Sequence, residues 1–130
     1  MLIEIAGLVA RRSTCQRKQV GAVIARDGRI LTMGYAGAPS GFAHCAEAKC
    51  DLSAPCTRTV HAEANAIAYA ARIGVSIEGA SLYSTLAPCE TCAKLIINSG
   101  IRDVVYSELY RTSNGLDLLS EAMIPTLHFK

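Results

Sequence analysis

Two short stretches, far apart in the chain, hold residue types that can do chemistry together: His61-Ala62-Glu63 and Pro88-Cys89-Glu90-Thr91-Cys92. One imidazole and two thiolates supply three ligands, whereas zinc takes four in a tetrahedron. The fourth position is then left for water, which separates a hydrolytic site from a closed structural one. Water held there ionises near neutral pH. Glu63 falls where a carboxylate can carry a proton from that water to a leaving group. Cys89 and Cys92 are three apart, so at a helix start their sulfurs lie on nearly one face. Pro88 suits the entry to a helix, where a missing N–H costs little, and a helix N-terminus favours thiolate over thiol. His61 and Glu63 would diverge in mid-helix. Their convergence therefore requires His61 at the helix start, and helix N-termini are expected on both sides of the metal. A redox pair, half of a structural zinc site or a core histidine would each explain one fragment. The ordered agreement of H-x-E with P-C-x-x-C favours a catalytic metal.

The elements that must position these residues can be read along the chain. Leu2, Ile5, Ala6, Leu8 and Val9 have the spacing of an amphipathic helix over 2–12 that ends in Arg11-Arg12. Residues 13–18 are polar and basic and read as a loop. Val20 to Ala25 is a buried strand, Asp27-Gly28 a hairpin turn, and Arg29 to Tyr35 the returning strand. A long non-periodic stretch, about 36–59, is of the kind that is functional or held by something other than a core. His61 to Ile73 is helical, with Gly74 ending it, and Cys89 to Ser99 is a second helix ended by Gly100. Strands are expected at 80–85, 103–107 and 126–129, and a short helix near 116–122. A hairpin followed by strand–helix alternation predicts a three-layer α/β/α fold. Its centre is a mixed five-stranded sheet with helices on both faces, in one domain over 1–130.

Composition narrows the function. Hydrophobic residues make up 51% and charged ones 18%, the balance of a globular protein. A net charge of +2 gives no strong field for a polyanion. No apolar run is long enough to span a bilayer and no stretch resembles a cleaved signal, so a cytoplasmic location is expected. Six cysteines in such a chain suggest thiols and metal rather than disulfides.

With these elements placed, the chain resembles the deoxycytidylate (dCMP) deaminase branch of the zinc-dependent cytidine deaminase superfamily, from roughly Arg11 to Leu119. Ser13-Thr14-Cys15 and Val20-Gly21-Ala22-Val23-Ile24 are similar to its first loop and strand. Arg58 to Ile67 is similar to its catalytic helix, and Tyr83-Ser84-Thr85 with Pro88 to Ala93 to its third strand and second zinc loop. The resemblance implies that His61, Cys89 and Cys92 hold zinc and that Glu63 is the proton shuttle. The implied reaction is hydrolysis of dCMP to dUMP with release of ammonia, a supply of precursor for dTMP. Attack falls on C4 of the pyrimidine, and Glu63 protonates N3 and then the departing amine.

A base and a 5′-phosphate also need partners. Tyr106 and Tyr110 are candidates for stacking on the base, although Tyr106 in a strand is equally a core residue. Arg58 and Arg111 are candidates for the phosphate, each also readable as a solvated cation, and Asn65 in the catalytic helix joins the substrate candidates. The family is activated by dCTP and inhibited by dTTP, both with Mg2+, at a second site marked Gly-Tyr-Asn-Gly, and its members are commonly hexamers. The matching stretch here is Gly34-Tyr35-Ala36-Gly37, with Ala36 in place of the asparagine. Glycines there allow close backbone approach to a nucleotide. Arg72 is a candidate participant in regulation, or else a helix-end cation beside Gly74. Cys15, Cys50 and Cys56, with His44 or Cys45 as the fourth ligand, fit a second, structural zinc that would order the long loop.

Two other functions compete. A nucleic-acid deaminase, for example of adenosine in transfer RNA, would share the zinc motif but needs a basic, aromatic surface. Five Tyr, two Phe, no Trp and the modest charge argue against it, although Arg11, Arg12, Arg17 and Lys18 cluster. A non-catalytic, zinc-stabilised binding module would have no use for an unliganded Glu63.

Overall fold

Asp27 and Gly28 both take positive φ, 53° and 75°, so the chain reverses in a two-residue turn. Such a turn carries the right-handed twist that an antiparallel pair needs. It joins β1 (Gly21–Arg26) to β2 (Arg29–Tyr35), with Arg26 opposite Arg29 and Gly21 opposite Tyr35. The register shifts between Ile24 and Ala25, which face Thr32 and Ile30, and Leu31 is the extra residue of a bulge. The computed structural model describes residues 1–14, 18–43 and 58–130. The candidates for a second zinc, Cys15, His44, Cys45, Cys50 and Cys56, lie outside the described residues.

Five strands form one sheet in the order β2-β1-β3-β4-β5. β3 (Ser81–Leu86) pairs antiparallel with β1 and parallel with β4 (Asp103–Glu108), which pairs parallel with β5 (Thr126–His128). Four strands, β2 to β5, therefore run the same way, and their carboxyl ends share one end of the sheet. In open α/β sheets that end is where ligands bind.

Alternation along β1 sorts the helices into layers. Val23 and Ala25 point to α1 (Leu2–Ala10), where Ala6 is fully buried. Ile24 points to the other face and joins Leu82 and Val104 in the main core. That face is covered by α2 (Ala62–Ile73), α3 (Glu90–Ser99) and α4 (Asn114–Glu121), through Ala66 and Ala70, Ala93 and Ile96, and Leu119. Each fully buried Leu or Ile there contributes roughly 1.5–3 kcal/mol. The expected mixed five-stranded sheet between helical layers is what forms. Two helices start one residue later than expected, because His61 and Cys89 are caps rather than the first helical residues; α1 ends at Ala10, with Arg11 as its cap, and α4 begins at Asn114.

The small residues of α2 let it sit almost on the backbone of β2. A side chain at Gly34 would overlap the Ala62 carbonyl and lie 2.5 Å from the Ala66 amide nitrogen. Nearby, the Thr32 hydroxyl donates to the Ala66 carbonyl at 3.0 Å. Gly34→Ala is therefore expected to push the first turn of α2 off the sheet. Overpacking of this kind costs typically 1–3 kcal/mol, so the Tm should fall by on the order of 5–10 °C. Turnover should fall further than stability, because that turn carries Glu63. A thermal scan beside a steady-state assay checks both.

Candidate metal centre

His61 has extended dihedrals, φ −67° and ψ 152°, and caps α2, so Glu63 falls in the first turn. Cys89 caps α3 in the same manner, with φ −74° and ψ 174°. Its sulfur accepts the Cys92 amide N–H at 3.4 Å, the role an N-cap oxygen usually plays. Both helix N-termini lie at the carboxyl end of the sheet, as the spacing required. Their partial positive charge favours thiolate between them.

The donor atoms converge. His61 Nδ1 stands 3.4 Å from Cys89 Sγ and 3.4 Å from Cys92 Sγ, and all three donors lie within 4.8 Å of one another. Tetrahedral zinc with ordinary Zn–N and Zn–S bonds separates two such ligands by about 3.5 Å. The set thus fits that ion, and one imidazole with two thiolates is a donor set zinc takes readily. Among the described residues this is the group of metal-binding side chains close enough to share an ion.

Without an ion, the two cysteines divide one charge. The Cys92 side chain, with help from His61 and the Cys92 amide, pulls Cys89 down to about 4, against a contrary push from burial. Cys92 is pushed up, first by its hydrogen bond to Cys89 and then by burial. The pair thus shares one thiolate, and a bound dication would expel the remaining thiol proton.

Glu63 is only 4% exposed. Burial pushes its carboxyl up to about 7, against the pull of its own backbone N–H and of His61. A carboxyl poised near neutrality beside a metal set is suited to gain and lose a proton. Pro88, directly before Cys89, is fully buried. Ala62, between His61 and Glu63, packs in a small apolar cluster with Ala22, Ala36, Val20 and Leu86.

The remaining candidates are placed as follows. The Asn65 amide donates to the Tyr35 carbonyl at 2.8 Å, tying α2 to the end of β2. Tyr106 is buried, and its ring is stacked on His128 with centroids 4.9 Å apart and planes 13° from parallel. One face of that ring is therefore covered by the protein. Tyr110 is half-buried, with the exposed Arg111 guanidinium 5.4 Å from its ring centroid. Arg58 donates twice to the Ala43 carbonyl, at 3.0 and 2.8 Å, and lies over Phe42. Arg72 is exposed in the last turn of α2.

At 34–37 the reason for the glycines differs from the expectation of nucleotide approach. The space a Gly34 side chain would fill holds the backbone of α2, and a side chain at Gly37 would lie 2.5 Å from the Thr14 hydroxyl. Ala36 is buried, and its carbonyl accepts the Ser13 hydroxyl at 2.7 Å. Tyr35 remains at the surface beneath the Arg12 guanidinium.

Sequence reasoning missed one link at this end of the sheet. Lys18 pairs with Glu108 at 2.7 Å, bridging the loop before β1 to the end of β4. Both side chains are more than half exposed, so the pair contributes little to stability. No local pattern reveals it, because it joins residues 90 positions apart.

Comparison with known proteins agrees with this geometry. Residues 1–108 match the family described as the cytidine and deoxycytidylate deaminase zinc-binding region. ComE operon protein 2 of Bacillus subtilis is 47% identical over 106 residues, which cover 81% of this chain and 56% of that protein. The chain thus spans little more than half the length of that relative. The deoxycytidylate deaminase of Mycobacterium phage D29 is 44% identical over 114 residues, covering 78% of this chain and 88% of the phage protein. A crystal structure of dCMP deaminase from cyanophage S-TIM5, in complex with dCMP and dUMP, superposes with a TM-score of 0.89 at 34% identity. That match covers 98% of this chain and 93% of the phage chain. By its sequence and by its whole fold, this chain belongs to the zinc-binding cytidine and deoxycytidylate deaminase family.

Proposed function

We propose that this protein hydrolyses dCMP to dUMP and ammonia. The observation that carries the reading is the meeting of His61, Cys89 and Cys92 beside a buried Glu63, in a chain that matches nearly the full length of a deaminase holding dCMP and dUMP. In this reading His61, Cys89 and Cys92 hold zinc. When bound, zinc supplies the Lewis acidity that brings water to a nucleophilic state near neutral pH. Glu63 accepts a proton from the attacking water and delivers it to N3 of the ring. It then moves a second proton to the 4-amino group, so that the C4–N bond breaks as ammonia leaves and C4 keeps the oxygen. Ala62, between His61 and Glu63, is anchored in an apolar cluster with Ala22 and Ala36.

The reading extends to regulation, with dCTP and Mg2+ activating and dTTP inhibiting near Tyr35 and Gly37. What supports this is mechanical. Gly34 presses on the first turn of α2, and Asn65 holds the Tyr35 carbonyl, so a shift at 35–37 reaches the helix that carries Glu63. A hexamer and a place in dTMP supply belong to the same reading. Tyr69 and Ile73, one turn apart on α2, are 51% and 46% exposed, which suits contact with another copy. No helix among the described residues is long and apolar enough to cross a membrane.

Ammonia release from dCMP, cytidine, deoxycytidine and a transfer-RNA anticodon stem tests the reading. Turnover of dCMP alone is expected, raised by dCTP with Mg2+ and suppressed by dTTP. Indifference to both triphosphates would remove the regulation and leave the enzyme. Turnover of the RNA without dCMP would overturn the substrate.

A further inference from the structure

The family match ends at residue 108, yet the segment beyond it touches the metal loop. Gly115, in the first turn of α4, is buried. A Cβ built on it would overlap the Pro88 carbonyl oxygen and lie 2.8 Å from the Cys89 carbonyl oxygen and 2.9 Å from its carbon. Side chains essentially never approach backbone so closely, so the contact is open to glycine alone. The Cα–H that a side chain would replace points at the Pro88 oxygen, as in a weak C–H···O contact.

We propose that Gly115 is a positioning residue for the metal ligand Cys89, and that α4 acts as a backbone buttress for the metal loop. The Cys89 peptide is held from two sides. Its carbonyl accepts the Ala93 N–H at 2.9 Å to begin α3, and Gly115 packs against that same carbonyl. The buttress cannot retreat easily, because Leu119 on α4 is fully buried in the main core. The loop cannot yield easily either, because Pro88 is fully buried. Any side chain at 115 must therefore rotate or displace the Cys89 peptide, and with it the sulfur that faces His61 and Cys92. Groups that orient metal ligands affect metal retention far more than their own chemistry suggests.

The inference rests on Cys89 being a metal ligand, and the test separates the two. The cobalt-loaded protein and its zinc form are compared for three chains: the parent, Gly115→Ala and Gly21→Ala. The last is the control, since a side chain at Gly21 would overlap Ala6 and lie 2.8 Å from Ala10 Cα in α1, on the opposite face of the sheet. It is a comparable backbone clash, made with α1 and not with the metal loop. Gly115→Ala is expected to shift the cobalt absorption bands and to speed zinc release to a chelator by roughly tenfold or more. Gly21→Ala is expected to lower the Tm by a similar amount with both metal readouts as in the parent. Equal metal behaviour in the two variants overturns the positioning role. A parent protein that takes up no cobalt overturns the ligand assignment instead. Should Gly115→Ala fail to fold, Leu116→Ala loosens α4 without a clash, since Leu116 only borders the core. Zinc release at the parent rate in that variant would equally overturn the proposal.

Discussion

Glu63→Gln should remove turnover and leave the protein otherwise intact. Glutamine has nearly the same shape, so the first turn of α2 and the packing around a side chain only 4% exposed are kept. The amide cannot accept a proton from water and pass it on. Positioned proton transfer contributes typically 10²–10⁴-fold, and here one group serves both N3 and the departing amine. A fall in kcat of at least about a thousandfold is therefore expected, equivalent to roughly 4 kcal/mol of transition-state stabilisation. Folding should not suffer. Burial already disfavours the charged carboxylate, pushing it up to about 7, and a neutral amide removes that strain. Zinc content should equal that of the parent. The measurement is ammonia release beside elemental analysis and a thermal scan. Loss of zinc in this variant would make Glu63 a ligand and remove the shuttle role, whereas retained turnover would move proton transfer to another group.

The site was legible because its parts are local. His61 and Glu63 lie within one cap and one turn, as do Cys89 and Cys92, so short motifs encode their geometry directly. The hairpin was legible for the same reason, since Asp27-Gly28 specifies its own turn. Contacts that join distant backbones were not. Gly34 read as room for a ligand, and only the packing of α2 on β2 shows that its space is taken by Ala62 and Ala66. Gly115 carried no signal at all, since a glycine after Asn114 reads as a turn until the chain folds it onto Pro88 and Cys89. The stacking of Tyr106 on His128 belongs to the same class. It depends on β5 pairing with β4, and no pattern in a three-residue strand announces that register.

Cys89→Ser separates metal binding from helix capping, which this one sulfur combines. The Cys89 sulfur accepts the Cys92 N–H and so caps α3. Serine is among the best N-cap residues, so the exchange preserves the cap or improves it. What is lost is one of the two sulfur donors of the set, a thiol that its neighbours hold well below the usual range. A serine hydroxyl stays protonated at neutral pH and is a poor zinc ligand. Zinc sites in small domains bind with roughly 10–16 kcal/mol in all, so an equal share for one ligand of four is about 2.5–4 kcal/mol, or a loss of affinity of roughly 60- to 900-fold. The variant should keep its helical circular dichroism, hold little zinc after dialysis against a weak chelator, and show no turnover at limiting metal. The Cys92 thiol should respond as well. In the parent its hydrogen bond to Cys89 pushes it up. Without that partner burial and the Glu63 charge still push it up, but less than before, and its alkylation should become measurable in the metal-free variant. A fully zinc-loaded, active Cys89→Ser protein would mean that sulfur at position 89 serves the helix and not the metal.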